Sequence, residues 1–142
     1  EKTKKPAKRK SLKGIKVLLA EDNDLNAELA AILLEDSEMI VTRAADGQEV
    51  VDLFANHPAG TYDIILMDIM MPKMDGLQAA KAIRAMQAER PDAEEIPIIA
   101  LSANAFAEDV QTSLDAGMNG HVSKPLNVAE VAKVIARNLN KS

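Results

Sequence analysis

Five polar side chains stand at the ends of apolar runs, and their types are the ones phosphoryl transfer needs. The run 15–20 leads into Glu21 and Asp22, and the run 62–67 leads into Asp68. Further along, 96–101 leads into Ser102, and 120–123 leads into Lys124 and Pro125. A carboxylate attacking phosphorus gives an acyl phosphate, the covalent route open to aspartate. Asp68 closes the most apolar run and is the candidate nucleophile. The reaction asks the protein chiefly for positioning and charge neutralisation. Crowded together, Glu21, Asp22 and Asp68 would repel one another. A magnesium ion would remove that repulsion, since it takes one or two carboxylates, retained waters and a phosphate oxygen. Lys124 would give a point charge to one phosphoryl oxygen, and Ser102 a hydroxyl hydrogen bond to another.

Each residue also has a duller explanation. Adjacent acids after a strand often cap a helix, and an aspartate before a Pro and Gly loop is often turn chemistry. Lys124 before Pro125 could be a merely extended residue. His121 reads as a partly buried packing residue, because no second ligand sits at metal spacing. The seven methionines read as core and loop filling. What favours chemistry is coincidence of place. In an open parallel α/β sheet the carboxyl ends of the strands line one edge, where ligands bind.

The chain alternates five times between short apolar runs and helical periods. A first helix is predicted from Asn23 or Asp24, with Leu25, Leu29, Ile32 and Leu33 as its apolar stripe. A strand over about 39–44 precedes Asp46-Gly47 and a helix carrying Val51, Phe54 and Ala55. A third helix follows Asp75-Gly76 with Ala79, Ile83 and Met86 inward, and a polar loop over 89–95 leads to the next strand. The fourth helix carries Val110 and Leu114 and stops at Gly117; the fifth carries Val128, Val131, Ile135 and Leu139. Such alternation implies an α/β doubly wound parallel sheet with right-handed crossovers.

A chain of 142 residues suits one domain, and 47% hydrophobic residues with two Phe, one Tyr and no Trp give an aliphatic core. No segment reaches the roughly 18 apolar residues of a membrane span, which predicts no membrane insertion. The absence of cysteine excludes disulfides and thiolate metal sites. Charge is uneven: residues 1–13 hold seven basic side chains against Glu1, a net of +6, so with −5 overall residues 14–142 carry −11. Residues 1–13 therefore read as a basic linker or tail, and 14–142 as the folded domain. An acidic body with almost no aromatics predicts no direct nucleic-acid binding. Beginning at Glu1, the chain reads as a piece cut from something longer.

At the motif residues the chain resembles the receiver domains of two-component response regulators. The resemblance is carried by the segment 17–23 with its acidic pair, by 65–76 around Asp68, by 100–103 around Ser102 and by 122–125 around Lys124. It implies a flavodoxin-like five-stranded sheet of order 2-1-3-4-5 with five helices. It also implies that Asp68 takes phosphate from a phosphohistidine on a histidine kinase or histidine phosphotransfer domain. Asp22 and Asp68 would bind magnesium directly, Glu21 through water, with the Met70 carbonyl completing the protein ligands; manganese could substitute. Met70 and Asn104 would flank the site and tune a slow self-catalysed hydrolysis, so the domain is a phosphoacceptor rather than an enzyme. Output would leave through the helix 4–strand 5–helix 5 face, with Ser102 and position 121 as the switch. The style of the motifs is similar to receivers fused behind hybrid histidine kinases, which implies a cytoplasmic domain whose parent can be membrane-anchored.

Two departures matter. Position 121 is His where the family often has Tyr or Phe, and the first acid is Glu21 rather than Asp. The rival reading, an aspartate-dependent phosphatase of the haloacid dehalogenase type, needs a second Asp two positions after the nucleophile. Met70 stands there.

Overall fold

The structure, a computed structural model, describes residues 12–71, 73–102, 107–124 and 126–139. Its strands are β1 (Lys16–Ala20), β2 (Ile40–Ala44), β3 (Ile64–Asp68), β4 (Ile98–Ser102) and β5 (Gly120–Ser123). They alternate with α1 (Asp24–Glu35), α2 (Gly47–Ala55), α3 (Gly76–Arg84), α4 (Asp92–Glu95), α5 (Ala107–Asp115) and α6 (Val128–Leu139). All strand pairs are parallel and the order is β2-β1-β3-β4-β5, as expected. The flavodoxin-like fold is thus the observed one.

Side chains of a strand alternate between faces, and the core divides accordingly. Leu18, Ala20, Ile65, Met67, Ile98 and Ala100 pack with Val50, Phe54, Ala79 and Ile83 from α2 and α3. Val17, Leu19, Ile64, Leu66, Ile99 and Leu101 pack with Ala30 and Leu34 of α1 and Val131 and Ile135 of α6. β3 is buried along its whole length. Each large aliphatic side chain there contributes roughly 1.5–3 kcal/mol of burial.

Helix starts follow the sequence. The Asn23 side chain accepts from the Asn26 N–H at 2.9 Å, and Asp46 accepts from Glu49 at 2.8 Å. Asp75 and Gln78 form a reciprocal capping box. Asn23, not the acidic pair before it, is the cap of α1. Gly117, at φ +101°, lies just past the end of α5, where a left-handed residue is expected.

Three expectations fail in detail. The 89–95 segment is not plain loop: α4 (Asp92–Glu95) occupies its second half, shortly after a 3₁₀ turn (Ala85–Ala88), giving six α-helices among the described residues instead of five. Bidentate Arg90–Asp92 contacts of 2.8 Å and stacking of Arg90 on Phe54 at 4.2 Å hold that turn down. Ala55 and Leu114 are exposed, while their chain neighbours Phe54 and Ser113 are buried. Most consequentially, three of the four residues predicted to bury α1 face solvent: Leu25 is 62% exposed, and Leu29 and Ile32 are each 57% exposed, while Leu33 is half-buried against the core. The buried face is Ala27, Ala30 and Leu34, whose two alanines let the helix lie close on the sheet. Val128 and Leu139 have side chains outside the described set. Residues 1–11, Pro72, Asn104 and Pro125 also lie outside the described residues.

Candidate functional site

Strand register brings the polar strand ends together. Ala20 pairs with Met67 across β1 and β3, which sets Glu21 beside Asp68. Asp68 pairs with Leu101 on β4, and Ser102 with Ser123 on β5. The Lys124 N–H donates to the Ser102 carbonyl at 2.8 Å, so the lysine leaves β5 directly beside the end of β4.

The side chains converge on one point. Glu21, Asp22 and Asp68 each offer a carboxylate oxygen, all within 4.8 Å of one another. The Lys124 ammonium lies 2.7 Å from Asp68 Oδ2 and 3.0 Å from Glu21 Oε1. Glu21 and Asp68 are only 3% and 4% exposed, whereas Asp22 is open to solvent. The Met70 N–H donates to Asp68 Oδ1 at 3.1 Å, and the Asn23 N–H to Glu21 Oε2 at 3.2 Å. Burial pushes the Glu21 carboxyl above its usual range, and the hydrogen bond from Lys124 offsets part of that. Burial alone would pull the Lys124 ammonium down, yet its hydrogen bonds to Asp68 and Glu21 outweigh it and leave the pKa raised.

Three carboxylates face one ammonium, leaving two negative charges uncompensated. That donor set fits a hard divalent cation: oxygen ligands, two of them buried, and an exposed side at Asp22 where retained waters can stay.

Two glycines hold the loop that follows β3. A Cβ on Gly76 would collide with the Asp68 carbonyl, and one on Gly47 with the Met74 carbonyl. The Gly76 N–H also donates to the Ile69 carbonyl at 2.9 Å. The N-termini of α3 and α2 are therefore pressed against the backbone on either side of Met70, which is 79% exposed.

Ser102 is half-buried at the end of β4. His121 is half-buried on β5, paired with Ala100, and its buried Nε2 finds no hydrogen-bond partner among the described residues. Beside the carboxylates lies a cavity of about 500 Å³, lined by Leu29, Ala30, Leu33, Leu101 and Leu126 together with Glu21 and Lys124.

Sequence reading missed Arg43. From β2 it donates through Nε and Nη2 to the Glu21 carbonyl at 3.1 and 2.8 Å, and through Nη1 to Asp24 Oδ1 at 2.8 Å. A strand-end arginine carries no motif, and only the β1–β2 register reveals what it reaches.

Solved structures share this architecture. The receiver domain of sensor histidine kinase PA1611 from Pseudomonas aeruginosa PAO1, with a magnesium ion coordinated in its active-site cleft, is 36% identical at a TM-score of 0.78, with 90% of this chain and 99% of that one covered. The receiver domain of Saccharomyces cerevisiae Ssk1, crystallised with the histidine phosphotransfer protein Ypd1, belongs to a structure matched at a TM-score of 0.80 and 28% identity, covering 91% of each chain. Among curated sequences, the sensor protein GacS of Pseudomonas syringae pv. syringae is 37% identical over 86% of this chain. Hybrid signal transduction histidine kinase I of Dictyostelium discoideum is 39% identical over 84% of it. The chain spans only 13% and 7% of the length of those two relatives. The family model for the response regulator receiver domain matches residues 17–136. Strand order, converging strand ends and sequence match agree: the chain belongs to the response regulator receiver domain family of two-component signalling.

Proposed function

We propose that this domain accepts a phosphoryl group on Asp68 from a phosphohistidine and passes the event on as a conformational change. The observation that carries the reading is the Lys124 ammonium held between Asp68 and Glu21, with Asp22 alongside. An Asp68 carboxylate oxygen attacks phosphorus; the new O–P bond forms as the donor's N–P bond breaks, and the bond's electron pair leaves on the imidazole nitrogen. Lys124 then follows the charge from carboxylate to phosphoryl oxygen. Ser102 takes a second oxygen by hydrogen bond. Glu21, Asp22, Asp68 and the Met70 carbonyl would hold magnesium, which when bound neutralises carboxylate and phosphoryl charge; the same oxygen donors suit manganese. Low exposure of Asp68 limits water, which favours a persistent acyl phosphate and slow self-catalysed hydrolysis.

The donor is a histidine kinase or a histidine phosphotransfer protein, as in the Ssk1–Ypd1 complex. Its landing surface is α1. Exposed Leu25, Leu29 and Ile32 form an apolar stripe next to the cavity that Glu21 and Lys124 also line, and exposed contiguous apolar surface marks an interaction site. Output runs through α5, β5 and α6, where Ser102 drawn toward phosphate would free space beside His121 for a change of rotamer. Residues 1–13 serve as the basic linker to a preceding part of a hybrid kinase.

The test is transfer from a radiolabelled phosphohistidine protein in the presence of magnesium. Label should move to the wild-type chain and not to Asp68→Asn. Equal labelling of both would remove Asp68 as the acceptor.

A further inference from the structure

The loop after β1 carries Glu21 and Asp22, and its placement decides whether these carboxylates reach Asp68. Four contacts hold Glu21. Its N–H donates to the Ala44 carbonyl at 3.0 Å, and its two carboxylate oxygens are taken by Lys124 and by the Asn23 N–H. The fourth, on its carbonyl oxygen, is the Arg43 guanidinium, with Nε and Nη2 at 3.1 and 2.8 Å. Arg43 also reaches Asp24 Oδ1 at 2.8 Å, where α1 begins. One rigid planar group on β2 thus spans the loop from the last residue before Asp22 to the first helical residue after it. Asp22 itself is exposed, so burial does not fix its side chain. Its position is inherited from the backbone on either side.

We infer that Arg43 is a positioning residue for the divalent cation: it clamps the 21–24 loop from behind and sets how tightly the carboxylate cluster binds magnesium. The inference rests on the metal reading proposed above and adds a residue outside the ligand set. A guanidinium suits the task because its fork is planar and preorganised, so two donors meet one carbonyl while a third meets a carboxylate. A lysine offers one mobile point charge and cannot span both. Groups that orient ligands from outside the coordination shell typically change metal affinity by 10–100-fold when removed.

The test is calorimetric titration of magnesium chloride into the wild-type chain and into Arg43→Met, Arg43→Lys and Asp24→Asn. Arg43→Met should weaken magnesium binding by about tenfold or more. Arg43→Lys should restore it in part, and Asp24→Asn should weaken it less than Arg43→Met does, because the grip on the Glu21 carbonyl survives. Far-ultraviolet circular dichroism checks that each variant is folded. In acetyl phosphate labelling, Arg43→Met should need more magnesium to reach half its rate yet attain the wild-type rate at saturation, a split that a general loss of structure would not give. Wild-type affinity in a folded Arg43→Met overturns the inference. Absence of magnesium binding by the wild-type chain would instead overturn the metal reading beneath it. If Arg43→Met does not fold, Arg43→Lys decides: wild-type affinity there removes the need for the fork.

Discussion

Lys124 and Asp68 lie 56 residues apart in the chain, yet the ammonium of one is 2.7 Å from the carboxylate of the other, with Glu21 3.0 Å from the same nitrogen. One cation serves two buried acids, so the lysine and an incoming divalent ion would compete for the same oxygens. Lys124→Met should therefore leave the acids uncompensated and lower stability by about 1–3 kcal/mol, less than a fully buried pair because the lysine side chain is 25% exposed. Magnesium should raise the melting temperature of this variant by more than that of the wild type. Equal increments would show that the ammonium does not compete with the metal.

The loop after β3 depends on the absence of a side chain at Gly76, where a Cβ would strike the Asp68 carbonyl. Gly76→Ala should cost about 1–3 kcal/mol in urea denaturation, as overpacking does. It should also slow labelling of Asp68 at every magnesium concentration. That pattern separates it from a change in metal affinity. A variant as stable and as quickly labelled as wild type would contradict the close packing.

Placement of the strand-end residues was legible in the sequence, because an apolar run that stops at a polar residue marks both strand and edge together. Asp68, Glu21, Asp22, Ser102 and Lys124 all lie where that logic puts them. The buried face of α1 was not legible. Leu25, Leu29 and Ile32 satisfy the helical period as well as Ala27, Ala30 and Leu34 do. The choice is made by how closely the helix lies on the sheet, which the small alanines permit. Arg43 was invisible for another reason: its partner is a backbone carbonyl 22 positions away, fixed by register and not by any side-chain pattern.

The apolar stripe on α1 gives a prediction that separates docking from chemistry. Leu29→Asp alters an exposed position, so stability should change by no more than about 0.5 kcal/mol. Labelling by acetyl phosphate, which needs no docking surface, should be unchanged. Transfer from a histidine phosphotransfer protein should fall by about tenfold or more, since a central interface contact is typically worth over 1 kcal/mol. Undiminished transfer would place the donor elsewhere.

Acid should act at the α4 turn. Hydrogen bonds from Arg90 hold the Asp92 carboxyl below its ordinary value, with burial opposing. A depressed folded pKa means the stabilisation is present above the unfolded value of 3.8 and is lost as pH falls through the lower folded value. The stability difference between wild type and Asp92→Asn, about 1 kcal/mol at neutral pH, should therefore shrink toward zero below that range in urea titrations. A difference that stays constant with pH would show that Asp92 acts through packing and not through its charge.

Phosphorylation of Asp68 itself is tested most directly by intact mass after incubation with acetyl phosphate and magnesium. The wild-type chain should gain one phosphoryl group, lose it to hydroxylamine, and show no gain in Asp68→Asn or when magnesium is chelated. An unchanged wild-type mass under these conditions, or the same adduct on Asp68→Asn, would contradict the account.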